Sequence, residues 1–135
     1  MPGEADEALV RRLFEEVWNQ KDAEAAKEIV HEHYSSIENQ TFPSIPGPEA
    51  VAADLKLYES LYDQLTFEIE NMISSDHVVW SVWQATGVSR HSTFVNRKGE
   101  TVPRLLRAEG VSLTEVKDGK IAAHRFLWPR DPLFP

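Results

Sequence analysis

The chain has 135 residues, enough for one sizeable hydrophobic core and too few for two domains of ordinary size, so residues 1–135 are expected to form a single domain. Hydrophobic residues make up 41% and charged residues 27%, a globular balance that excludes disordered and fibrous classes. Fourteen Lys and Arg against 22 Asp and Glu leave a formal charge of −8 with no basic cluster for phosphates, and the absence of Cys excludes disulfides, thiolate metal sites and cysteine nucleophiles.

The N-terminal residues lack the basic start and apolar run of a signal peptide, and no segment approaches ~18 consecutive apolar residues. The expected address is the cytoplasm, with neither nucleic acid nor membrane as a partner. Over residues 8–18, Val10, Leu13, Phe14, Val17 and Trp18 recur at helical spacing while Arg11, Arg12, Glu15 and Glu16 fill the opposite face. Asn19, Gln20 and Lys21 break the pattern. Asp22 can cap a second helix whose buried stripe is Ala26, Ile29, Val30 and His33. Residues 34–38 read as a brief β-like piece, and three prolines in residues 42–48 make a loop. Pro48 and Glu49 suit a first helical turn, after which Val51, Leu55, Tyr58 and Tyr62 keep one face to a helix end near Gln64.

Beyond that point the hydrophobic period changes from 3.6 to 2. Phe67 and Ile69 alternate with Thr66, Glu68 and Glu70, and residues 74–76 form the turn. Residues 78–86, rich in Val and Trp, read as a strand buried on both faces, with Gly87 allowing a bend. Residues 91–95 continue it or form their own strand. Residues 96–100 are a turn, residues 105–116 a long strand, Asp118-Gly119 a hairpin and residues 121–128 the returning strand. Residues 129–135 form a non-helical tail. Three helices followed by these strands describe an α+β fold with helices laid on one face of a curved antiparallel sheet.

Val17-Trp18-Asn19-Gln20-Lys21-Asp22, Gly47-Pro48-Glu49-Ala50-Val51, Ala85-Thr86-Gly87 and Asp118-Gly119-Lys120-Ile121 occur in this order. In type and spacing they resemble the SnoaL-like polyketide cyclases of the NTF2-like superfamily. The resemblance implies a cone-like sheet closed at one end by helices, with an apolar pocket used there by cyclases, isomerases, epoxide hydrolases, dehydratases and non-catalytic binders. Fold alone does not choose among these.

From Phe14 through Asn19 and Asp22 to Glu38 the chain is also similar to ketosteroid isomerase, which implies that Glu38 stands at the general-base position. A carboxylate facing an apolar cavity has its charged form disfavoured, which suits proton transfer near neutrality. The other reading of Glu38, beside Asn39 and Gln40, is a solvated loop acid. The positions that the isomerase uses for oxyanion donors carry Phe14 and Ser112 here, one with no donor and one with a neutral hydroxyl, so steroid-type isomerisation is not implied. In the last strand His124, Phe126 and Trp128 share a face, and the resemblance places Trp128 in the pocket. His124 is either the second acid/base or an exposed strand histidine.

Tyr58 and Tyr62 either bring hydroxyls to the cavity mouth or belong to the core. Trp80 and Trp83 lie on opposite faces of one strand, so at most one lines a pocket and the other suits a sheet-to-sheet homodimer contact. His31 and His33, two apart on a predicted helix, diverge, and His77 and His91 are distant, so no metal site is expected. Arg107 and Glu109 share a face and read as a structural ion pair rather than the Arg-and-Asp pair of limonene epoxide hydrolase. No nucleotide-binding or serine-hydrolase motif occurs. The expectation is cofactor-independent acid/base chemistry on a small hydrophobic molecule, with catalytic candidates Glu38, His124 and Ser112 and a lining of Phe14, Tyr58, Tyr62, Phe126 and Trp128. The alternatives are a ligand-binding or dimerisation module without catalysis, and a hydrolase or dehydratase.

Overall fold

The computed structural model describes residues 3–36, 46–129 and 133–134. The first helix, α1 (Glu4–Arg12), begins with Glu4, Asp6 and Glu7 and ends with Arg11 and Arg12, charges that oppose its dipole at both ends. Its continuation, Leu13–Asn19, winds as a π-helix and buries Leu13, Phe14, Val17 and Trp18, so the expected apolar stripe faces the core although the winding changes.

The Asn19-Gln20-Lys21-Asp22 break is a set of clamps. The Asn19 amide gives Nδ2–H to the Phe67 carbonyl and accepts the Phe67 N–H, both at 2.8 Å, as a neighbouring strand would. Lys21, at a left-handed φ of 56°, donates Nζ to the carbonyls of Trp18 (3.0 Å) and Leu65 (2.8 Å). Asp22 Oδ1 accepts from the backbone of Glu24 and Ala25, capping α2 (Ala23–Ile29).

The second helix ends sooner than its pattern suggests. Val30 turns extended, and β1 (Val30–Ser36) pairs in parallel with the strand β5 (Lys120–Leu127). His31 and His33 therefore lie on a strand, not a helix. They share a face, with ring centroids 5.4 Å apart, because a period of two replaces the expected divergence. The third helix, α3 (Pro48–Leu61), also stops early. Tyr62 leaves it with φ −136° and opens β2 (Tyr62–Ser75), pairing with Ser89. Cross-strand pairing overrides a helical pattern that Tyr62 equally fitted.

With β3 (Val78–Val95), β4 (Thr101–Lys117) and β6 (Leu133–Phe134), the sheet runs β1-β5-β4-β3-β2, and β6 pairs with β4. Register shifts between Asp63 and Thr66, Val88 and Thr93, and Glu115 and Val116 are the irregularities that let long strands curve. Gly87 lies opposite the first of them, where a Cβ would stand 3.2 Å from the Asp63 carbonyl oxygen. The β2–β3 turn places Asp76 and His77 at φ 51° and 63°, as a tight hairpin needs.

The strand β3 is buried on one face, not two. Val79, Ser81, Trp83 and Ala85 point under the helices, whereas Trp80 is 45% exposed and Gln84 and Thr86 are exposed. The core lies between the helices and this inner face. Gly110, across from Trp83 in register, leaves room for the indole, since a Cβ there would meet Trp83 Cη2 at 2.4 Å.

Candidate functional site

Under the helices, aromatic side chains from five segments meet. Phe14 stands edge-on to Phe67, His124 and Phe126, with centroids 5.4, 5.7 and 6.1 Å away. Phe126 stacks on Phe67 at 5.1 Å and touches Trp18 and Tyr58, while Trp128 lies 4.8 Å from Trp83 and 6.1 Å from Tyr58. The Tyr58 hydroxyl accepts Trp128 Nε1–H at 3.1 Å. The structure thus brings Phe14, Tyr58, Phe126, Trp128 and His124 into one assembly, with Ser112 on the same inner face in register with Phe126. Tyr62, at the start of β2 rather than on α3, is half-buried against this core, and its burial raises the pKa of its phenol. Glu38 lies outside the described residues. Ser36, two positions before it, pairs with His124.

His124 is 4% exposed, so the reading as an exposed strand histidine does not hold. Two apolar faces enclose it, with Phe126 4.6 Å away and Phe14 beyond. Its Nδ1 is 2.8 Å from Thr114 Oγ1, the residue opposite it on β4, whereas its Nε2 is buried with no hydrogen-bond partner among the described residues. Burial pushes the imidazole pKa down to about 3, so it is neutral at physiological pH. It can donate a hydrogen bond there, but it is no reservoir of a titrating proton. Ser112, fully buried, accepts Trp83 Nε1–H at 2.8 Å.

Three further polar groups share this interior without having been singled out from sequence. Thr114 and Ser81 are fully buried, and Ser81 Oγ has no partner among the described residues. Asp54 is 2% exposed, one helical turn before Tyr58 on α3. Its position between Val51 and Tyr58 on the apolar stripe was the available signal.

Openings lie at the other end of β5 from Trp128. One of about 410 Å³ is bounded by Gly3 and residues 74–77, and one of about 520 Å³ by Asp6, His77 and residues 116–119. A narrow apolar crevice beside the aromatic assembly is lined by Trp18, Lys21, Leu55, Tyr58, Glu59 and Leu65. Arg107 and Glu109 stand exposed on the outer face of the sheet, opposite Thr86 and Gln84, and no ion pair joins them among the described residues, contrary to expectation. Each is instead spread along a solvated strand surface. Among the described residues no three His, Asp or Glu side chains are grouped to hold a metal ion, and no helix is long and apolar enough to cross a membrane.

Solved structures share this architecture. A candidate SnoaL-like polyketide cyclase from Jannaschia sp. CCS1 superposes with a TM-score of 0.71 at 23% identity, over 95% of this chain and 88% of that one. IdmH, a candidate polyketide cyclase from Streptomyces antibioticus, gives 0.73 at 14% identity, over 95% and 94%. An epoxide hydrolase of M. tuberculosis, LEH-like, gives 0.66 at 14% identity, over 93% and 83%. At these identities the likeness is one of fold. No curated protein matches the sequence. The family model described as SnoaL-like domain matches residues 10–124, most of the chain. With its helices over a curved sheet and its aromatic interior, the protein belongs to the SnoaL-like domain family.

Proposed function

We propose that this SnoaL-like protein takes an apolar, carbonyl-bearing small molecule of polyketide or terpenoid type into its aromatic interior and moves a proton on it without a cofactor. The observation that carries this reading is His124 Nε2, a polar atom buried among aromatic rings with no partner among the described residues. An orphaned polar group in a core costs roughly 1–3 kcal/mol, a cost that a ligand oxygen would relieve. Glu38 acts as base and removes the proton next to the carbonyl. Its chain position, two residues beyond the β1 partner of His124, supports this assignment. His124 and Ser112 stabilise the oxygen, and Phe14, Tyr58, Tyr62, Phe126 and Trp128 give shape and dryness. The polyketide cyclases among the similar structures are consistent with such a substrate class. Epoxide opening has less support, because Arg107 and Glu109 face away from the interior.

The test follows exchange of the α-protons of 2-tetralone in D2O by NMR. Wild-type protein should accelerate exchange, and Glu38→Gln should lower that rate by ~10²-fold while leaving the melting temperature unchanged. Binding of 2-tetralone without accelerated exchange would establish a ligand-binding module instead. Full exchange activity in Glu38→Gln would remove Glu38 as base and turn attention to the buried Asp54.

The outer face supports a homodimer. Trp80 lies between Ile73, 65% exposed, and Leu113 in register, and the next row holds Val82, Val111 and Leu127. Such a contiguous apolar strip suits a second copy of the same strip across a two-fold axis. Light scattering at micromolar concentration should give twice the 15.4 kDa subunit mass, and Trp80→Glu should halve it. A single-subunit mass for the wild type would refute this.

A further inference from the structure

The hydrogen bond between Thr114 and His124 has two directions with unequal consequences. If Thr114 donates Oγ1–H to Nδ1, its hydroxyl is satisfied and the imidazole carries its proton on Nε2. If Nδ1–H donates to Thr114 instead, the hydroxyl proton needs another acceptor. Thr114 is fully buried, and the described residues give it no second hydrogen bond. That arrangement leaves a donor on Thr114 and a lone pair on Nε2 both unmet, whereas the first leaves only Nε2–H. Burial keeps the ring neutral, so the choice of tautomer is real across the working pH range.

We infer that Thr114 is a positioning residue that locks His124 in the Nε2–H tautomer and so aims a neutral N–H donor at a carbonyl or enolate oxygen of the bound molecule. The ligand half of this inference rests on the proposed function; the tautomer half does not. A neutral donor suits an enol-forming reaction. It gains strength as negative charge grows on the oxygen, and it does not require a cation to be buried among Phe14 and Phe126.

The two halves are tested on the same full-length samples. Long-range ¹H–¹⁵N spectra of histidine-labelled protein should show His124 with a pyrrole-type nitrogen at Nε2 and a pyridine-type nitrogen at Nδ1. Thr114→Val should lose that pattern and Thr114→Ser should restore it, a rescue that a purely space-filling role would not produce. An Nδ1–H tautomer in the wild type, or an unchanged tautomer in Thr114→Val, overturns the positioning role whether or not any ligand binds. For the ligand half, 2-tetralone should shift the Nε2–H resonance and bind about tenfold tighter than 2-methylidenetetralin, which lacks the oxygen, and Thr114→Val should erase that preference. Equal affinities for the two compounds, or no binding by either, with the tautomer intact, place the failure in the proposed function.

Discussion

Acidification should destabilise this protein through His124 specifically, and the size of the effect follows from its surroundings. The folded imidazole has its pKa pushed down to about 3 by complete burial, against ~6.5 in an unfolded chain. Between these values the unfolded state binds the proton and the folded state does not, so stability rises with pH through this window and is fully present above it. Linkage over the two pKa values gives a loss of about 2 kcal/mol on going from pH 7.5 to pH 5, before carboxylates dominate the titration. Urea unfolding at both pH values, followed by tryptophan fluorescence, measures it. The comparison is with His124→Leu, which retains every other titratable group of the chain. The variant loses stability at every pH because Thr114 forfeits its partner, and between pH 7.5 and pH 5 it should lose about 2 kcal/mol less than the wild type, a flatter slope. Equal slopes in the two proteins would refute the buried neutral histidine and with it the reading of the interior.

Asn19→Ala removes both hydrogen bonds to the Phe67 backbone and leaves a strand N–H and carbonyl half-buried, so it should lower unfolding free energy by about 1–3 kcal/mol in urea titrations. Ser81→Ala removes a fully buried hydroxyl that has no partner among the described residues and should leave the melting temperature equal to or above that of the wild type in calorimetry.

The parts of the fold legible in the sequence are those written as periodicity. The stripe from Val10 to Trp18 is buried as its spacing requires, and parity sets Trp80 and Trp83 on opposite faces, while the packing of the helices decides that Trp83 is the one inside. Asp118-Gly119 marks its hairpin because glycine there adopts φ 71°. What was misplaced lay where one pattern fits two periods. Val30 and His33 continue a helix as well as they begin a strand, and Tyr62 sits four after Tyr58 and four before the strand alternation that starts at Thr66. Pairing with β5 and β3 decides both, and pairing partners are far away in the chain. The site shows the same division. His124 was visible as an inward-parity histidine between apolar neighbours, but its burial was not. Thr114 was invisible as a partner because only the β4–β5 register sets it opposite His124. The resemblance supplied Glu38 as a candidate, and its surroundings lie outside the described residues.

Ser81, Ser112, Thr114 and His124 lie on neighbouring strands of one inner face, each less than 5% exposed. Stability alone favours apolar residues of equal volume there, since two of the four carry a polar atom with no partner among the described residues. On the proposed reading this row has a use that also divides the labour. Burial disfavours the protonated ring and makes His124 a weak base, so on this reading proton abstraction falls to a carboxylate and the inner face supplies neutral donors. Ser112 fits that role better than its residue type suggested. Its oxygen already accepts Trp83 Nε1–H at 2.8 Å, which turns its own proton toward another acceptor, and the described residues offer none. On this reading an oxygen acquiring negative charge is offered two neutral donors, Ser112 O–H and His124 Nε2–H, neither of which must be deprotonated or rehydrated as the charge develops. Two prearranged neutral donors stabilise an enolate more than its parent ketone, and that difference, not tight binding of the ketone, is what accelerates proton removal.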